Sequence, residues 1–155
     1  MYVDTQILSD ESRVYVFPST RKFYKEEVPE IRKQVVEFCN SLNSVNIGFE
    51  FPYDRFLLFF VSEDTPLGIE LNDQLSAFVQ SLENQLNVQL LDKVNVCFKQ
   101  GDYVQRKEIS EFKKLIKSRS VSGKTVVFDP MINTKLEYES SWESPAAESW
   151  LSHLF

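Results

Sequence analysis

The sequence predicts an α+β fold on three observations. Two amphipathic helical stripes, from Lys25 to Asn43 and from Leu71 to Leu86, alternate with four short runs rich in β-branched and aromatic residues. Those elements follow one another as βαββαβ over residues 1–100. The four runs also differ in kind: the first and third are almost continuously apolar, whereas the second and fourth alternate apolar with polar residues.

Each element has its own warrant. Arg13 to Phe17 (RVYVF) is β-branched and aromatic and is stopped by Pro18, as a strand would be. In the first helix Val28, Ile31, Val35, Phe38, Cys39 and Leu42 recur at spacings of three and four. Pro29 lies near its first turn, where a missing N–H costs least, and Glu26, Glu27 and Glu30 suit the positive end of the dipole. Ile47, Phe49 and Phe51 then alternate with Asn46, Gly48 and Glu50, and Pro52-Tyr53-Asp54 turns the chain into Arg55 to Val61, which predicts a hairpin. The second helix gathers Leu71, Leu75, Phe78, Val79, Leu82 and Leu86 on one side. Val94, Val96 and Phe98 alternate with Asn95, Cys97 and Lys99 as a fourth strand.

This order is the split βαβ, or ferredoxin-like, arrangement, with the first and third strands central. Central strands are covered on both faces and read as continuous apolar runs, so the burial pattern agrees with the strand order. Two helices cover only one face of such a sheet, yet Phe56 to Val61 (FLLFFV) places large apolar side chains on both. Leaving one face wet would forfeit about 1.5–3 kcal/mol per side chain. The cover must therefore be residues 101–155 or a second copy of the chain in a homodimer.

Residues 101–155 hold elements to supply it. Asp102 to Lys107 extends from the Gly101 turn, and Ser110 suits the N-cap of a short helix in which Phe112, Leu115 and Ile116 share a face. Lys124 to Phe128 and Thr134 to Glu139 are expected to form a second hairpin, followed by a tail carrying Trp142 and Trp150. No low-complexity linker or repeat interrupts the chain. We therefore expect a single domain over 1–155, with a ferredoxin-like core (1–100) and a C-terminal subdomain (101–155) packed on it.

Composition narrows the function. The chain has 155 residues, 43% hydrophobic and 26% charged, with a net charge of -6. A chain of that length buries roughly two-thirds of its unfolded surface. Its longest apolar run falls far short of the roughly 20 residues a bilayer-spanning helix needs, so no membrane role is expected. Met1 to Arg13 lacks a basic segment followed by an apolar one, which points to a cytoplasmic protein. Cys39 and Cys97 form no CxxC pair and His153 is the single histidine, so neither a metal site nor a cofactor is expected.

Four candidate features remain. Ser122-Gly123-Lys124-Thr125 has the end of a Walker A loop, but Ser118 stands where its first glycine belongs and strand-like Val126 to Phe128 follows where a helix should open. A P-loop ATPase is not expected. Between Tyr103 and Phe128, Arg106, Lys107, Lys113, Lys114, Lys117, Arg119 and Lys124 face only Glu108 and Glu111. Such a basic segment in an acidic chain suits an anionic partner, while the overall acidity argues against nucleic acid. Cys97 faces away from Val96 and Phe98, toward the second face of the sheet, and would form a pocket dyad with His153 if the tail folded back on it. Trp142 and Trp150 either cap that face or line a groove for a partner.

The chain also resembles known families. Leu90-Leu91-Asp92-Lys93-Val94, Ile109 to Ile116, Thr125 to Phe128, Thr134-Lys135 and the Ser141-Trp142 to Ser149-Trp150 tail are similar to a family of short bacterial proteins bearing the label "ABC transporter ATPase". That resemblance supplies relatives but no catalytic residues, and the Walker A, Walker B and signature motifs the label implies are missing from this sequence. Ser110-Glu111-Phe112 through Leu115-Ile116, Thr125-Val126-Val127, and Trp142 with Pro145-Ala146 resemble GYF-type adaptor modules, without the Gly-Tyr-Phe triplet itself. This second resemblance implies binding of proline-rich peptides. The expected function is thus a non-catalytic protein-interaction module using Trp142, Trp150, Lys113, Lys117, Arg119 and Lys124. The alternative is a small-ligand-binding protein or enzyme with Cys97 and His153 in a pocket between sheet and tail.

Overall fold

The computed structural model describes residues 1–66 and 68–155. Arg13–Pro18 (β1), Ile47–Glu50 (β2) and Phe56–Val61 (β3) form an antiparallel sheet in the order β1-β3-β2. Val16 and Leu58 are paired across β1 and β3, and Phe49 and Phe59 across β2 and β3. Val28–Ser41 (α1) connects β1 to β2 with Pro29 in its first turn, and Ile69–Leu86 (α2) follows β3 and ends on left-handed Asn87. Every residue of β3 is buried, as its apolar run predicts. Leu57, Phe59 and Val61 pack against Ile31, Val35, Leu75 and Val79 of the two helices. Phe56, Leu58 and Phe60 face the opposite way.

The fourth strand departs from the ferredoxin-like arrangement. Val96–Gln100 (β4) does not join β1; it pairs with Tyr103–Lys107 (β5) and Val126–Phe128 (β6), and β6 pairs with Glu143–Pro145 (β7), in a second antiparallel sheet ordered β5-β4-β6-β7. Gly101, at φ 63°, closes a tight local turn between β4 and β5, which costs far less loop entropy than docking on β1 would. Val96 and Phe98 find their apolar partners on Ile109–Lys117 (α3), where Phe98 meets the ring of Phe112 edge-on at 5.1 Å.

The chain itself covers the second face of the first sheet. Val14, Val16, Phe56, Leu58 and Phe60 stack against Cys97, Val104, Phe128 and Trp142 of the second sheet and its flank. On the far side of that second sheet, Val96, Phe98 and Val127 pack under Phe112, Val121, Ala146 and Leu151. The layers run helix, sheet, sheet, helix.

Three further expectations need correcting. Thr134 to Glu139 is not a strand: Lys135–Ser141 is a helix (α4), capped by the Thr134 hydroxyl, which accepts from the Glu137 N–H at 3.2 Å. The pairing partner of β6 is accordingly β7. Glu108, not Ser110, occupies the N-cap of α3. Nor is β2 wetted on one face, because Tyr2 bridges Ile47 and a Cβ on Gly48 would meet the Val3 carbonyl at 2.7 Å. Among the described residues no helix is long and apolar enough to cross a membrane.

Candidate functional site

The amphipathic pattern of α3 divides it into two faces. Phe112 is buried and Leu115 and Ile116 half-buried against the second sheet, while Lys113, Lys114 and Lys117 are exposed. The helix ends in a Schellman motif: the Ser120 N–H donates to the Leu115 carbonyl at 2.9 Å and the Arg119 N–H to the Ile116 carbonyl at 3.0 Å. That motif places Arg119 at φ 64°, in the left-handed region where glycine is usual. Its side chain is exposed.

The Ser122–Thr125 segment is a turn that seats the tail. The Ala147 N–H donates to the Gly123 carbonyl at 3.0 Å and the Ala146 N–H to the Thr125 carbonyl at 2.8 Å. A Cβ on Gly123 would meet the Ala147 Cβ at 2.9 Å, so the close approach requires glycine. Lys124 precedes a strand and points to solvent. Beside it runs an open groove of about 690 Å³ lined by Ser122, Gly123, Lys124, Pro145, Ala147 and Glu148. Lys113, Lys117, Arg119 and Lys124 all lie exposed on α3 and the loop that follows it, and none takes part in an ion pair among the described residues.

The two tryptophans have different surroundings. Trp150 is half-buried, packs against the cluster of Phe98, Phe112 and Val127, and donates its indole N–H to the Phe128 carbonyl at 3.1 Å, pinning the tail. Trp142 is only 2% exposed. Its ring lies 4.9 Å from Phe56, 4.7 Å from Phe128 and 5.1 Å from Tyr138, inside the core between the sheets, where no partner reaches it.

Cys97 and His153 do not meet. Cys97 alternates with Val96 and Phe98 and so faces the inter-sheet core, while the tail that carries His153 packs its Leu151 and Leu154 on the other face of the same sheet. His153 is exposed. Burial pushes the Cys97 thiol up to about 11 against the opposing pull of Arg106 and Arg55, and pushes Cys39, inside α1, up to about 12. The cavity at Cys97 measures about 10 Å³, close to the space one water fills and far below the size of an organic substrate. Among the described residues no group of three or more His, Cys, Asp or Glu side chains could hold a metal ion.

The structure adds Arg55 and Arg106, which flank Cys97. Arg55 donates to the Val104 and Thr20 carbonyls, each at 2.8 Å, and Arg106 to the Asp92 carbonyl at 3.0 Å. The sequence signal for Arg106 was its place in β5, two positions from Val104 and therefore on the same face. Comparison with protein-family models, with curated proteins and with solved structures finds no match to this chain.

Proposed function

We propose that this chain is a non-catalytic, cytoplasmic interaction module that binds an acidic, extended segment of a protein partner. The observation that carries the reading is the set Lys113, Lys117, Arg119 and Lys124, exposed and unpaired on α3 and the loop after it, with Lys124 lining an open groove, in a chain whose net charge is -6. Charges held out of internal ion pairs, on a helix that ends in a Schellman motif and on the loop on which the tail docks, are available to an anionic partner without first breaking an internal contact. The resemblance to peptide-binding GYF-type modules and to the short bacterial family runs through the same stretches, Ser110 to Ile116 and Thr125 to Val127. The competing enzyme reading draws no support from Cys97 and His153, which lie on opposite faces of one sheet.

Fluorescence anisotropy with a labelled peptide of alternating Glu and Pro tests this. We expect binding that weakens steeply as salt rises past the roughly 0.15 M range where surface charges are screened. The K113E/K117E double variant should lose about tenfold or more in affinity while melting at the wild-type temperature. Equal affinity in variant and wild type would refute the assignment of this face.

A further inference from the structure

A cavity of about 180 Å³ opens where α4 and the helical turn Thr5–Ile7 meet β2 and β3. Its apolar walls are Phe60 and Tyr138, whose rings meet edge-on at 5.2 Å, and Glu50, Glu139, Lys135 and Gln6 supply its polar groups with Thr5. Strand alternation places Glu50 there. In the register of β2 and β3 it stands opposite Leu58, so its side chain leaves the sheet on the face of Leu58 and Phe60, which the chain covers. The Glu50 carboxylate is half-buried, and its Oε1 accepts from the hydroxyl of buried Thr5 at 3.0 Å.

A carboxylate drawn out of water needs a positive partner, and Glu50 takes part in no ion pair among the described residues. Lys135, the cation in the lining, is committed to the wall: its ammonium donates to the Thr5 and Leu8 carbonyls at 2.8 and 2.9 Å. Glu139 lies 3.9 Å from that ammonium, beyond hydrogen-bond reach. Two carboxylates against one ammonium leave the cavity net negative. Tyr138 adds no charge, because burial, and after it the neighbouring Glu50 carboxylate, raises its hydroxyl and keeps it neutral. The guest that suits this lining is therefore a cation with several donors. An alkylammonium offers three N–H groups to the carboxylate oxygens and an apolar chain to the two rings, and a cation beside an aromatic ring gains further attraction. The volume is far above the space of one water and below the roughly 300 Å³ at which pockets for drug-sized ligands begin, which fits a chain of a few carbons.

We propose that this cavity binds a small primary alkylammonium ion, its ammonium group held by the Glu50 and Glu139 carboxylates and its carbon chain laid against Phe60 and Tyr138. The site is built on the first sheet and α4 and does not depend on the basic face of α3.

Thermal unfolding of the full chain in butylammonium chloride tests the site against equal concentrations of butanol and of sodium chloride. The melting temperature should rise with butylammonium and saturate. Butanol, which has the chain without the charge, and sodium, which has the charge without the chain, should give no such rise. Glu50→Gln and Glu139→Gln should each raise the half-saturating butylammonium concentration about tenfold, the range of one charge-assisted hydrogen bond. The Glu139 side chain is 52% exposed, so that variant keeps the fold whatever Glu50→Gln does. In the nitrogen-15 spectrum of the unmodified chain, the amides of Gln6 and Tyr138 should move along the same titration and those of Lys113 and Lys117 should stay. Equal melting temperatures in butylammonium and sodium chloride, an equal rise with butanol, or an unchanged half-saturating concentration in Glu139→Gln would overturn the proposal.

Discussion

Arg119 sits at the point where the cost of the fold and the proposed binding face coincide, and Arg119→Gly separates the two. At φ 64° a side chain with a Cβ costs about 1–2 kcal/mol relative to the right-handed region. Glycine removes that strain but gives back about 0.5–1 kcal/mol through the greater freedom of the unfolded chain. The exposed guanidinium takes part in no ion pair or hydrogen bond among the described residues, so its loss subtracts little. The variant should therefore gain about 0.75 kcal/mol, the difference between the middle values of those two ranges. For a chain of this size that is a rise of roughly 1–4 °C in melting temperature. Urea denaturation reads the gain as a higher midpoint at an unchanged slope. The same variant should bind the acidic peptide more weakly, and Arg119→Ala, which keeps the strain and loses the charge, should match it in affinity without the gain in stability. A lowered midpoint in Arg119→Gly would refute the reasoning, since it would mean that the side chain stabilises the fold by more than its backbone strain costs.

Two other consequences can be measured directly. The Glu27 carboxylate accepts two bonds from the Arg21 guanidinium, at 2.9 and 3.1 Å, and one from the Tyr24 N–H at 2.7 Å, which together hold it below the usual carboxylate range. Its folded value is depressed, so its contribution is present above the unfolded carboxylate pKa and disappears as pH falls through the folded one. Glu27→Gln should lower stability by up to about 1 kcal/mol at neutral pH and by nothing in strong acid, as paired urea titrations would show. Cys39 and Cys97 are both buried, with thiols pushed up to about 12 and about 11. An aromatic disulfide reagent at pH 8 should therefore label neither until urea unfolds the chain; rapid labelling of the native protein would place at least one thiol at the surface.

The limits of what the sequence disclosed follow from what periodicity can encode. A period of two states which side chains of a strand share a face, but not which sheet provides the neighbouring strand. Val96, Cys97 and Phe98 alternate equally well beside β1 or beside β5 and β6, and only the Gly101 turn favours the latter. The error over Thr134 to Glu139 was of another kind, because a better signal was present. Thr134-x-x-Glu137 is a capping box, and Tyr138 and Trp142 stand four residues apart, which on a helix brings their rings to 5.1 Å. With that helix in place, Trp142 is carried back over Phe56 instead of outward to a partner. The basic set was legible because its residues lie within one short stretch, 113–124, and need only one helix and one loop to present them. The cluster around Cys97 was not, because Arg55 lies in the turn before β3 and Arg106 in β5, and the two approach only when the sheets stack. The two facts are linked. Had β4 joined β1 in one sheet, β5 would have followed it as an outer strand, with no second sheet stacked over Arg106. The transfer of β4 to its own sheet covers the FLLFFV strand and, in the same step, buries the Arg106 side chain and Trp142 between the two sheets.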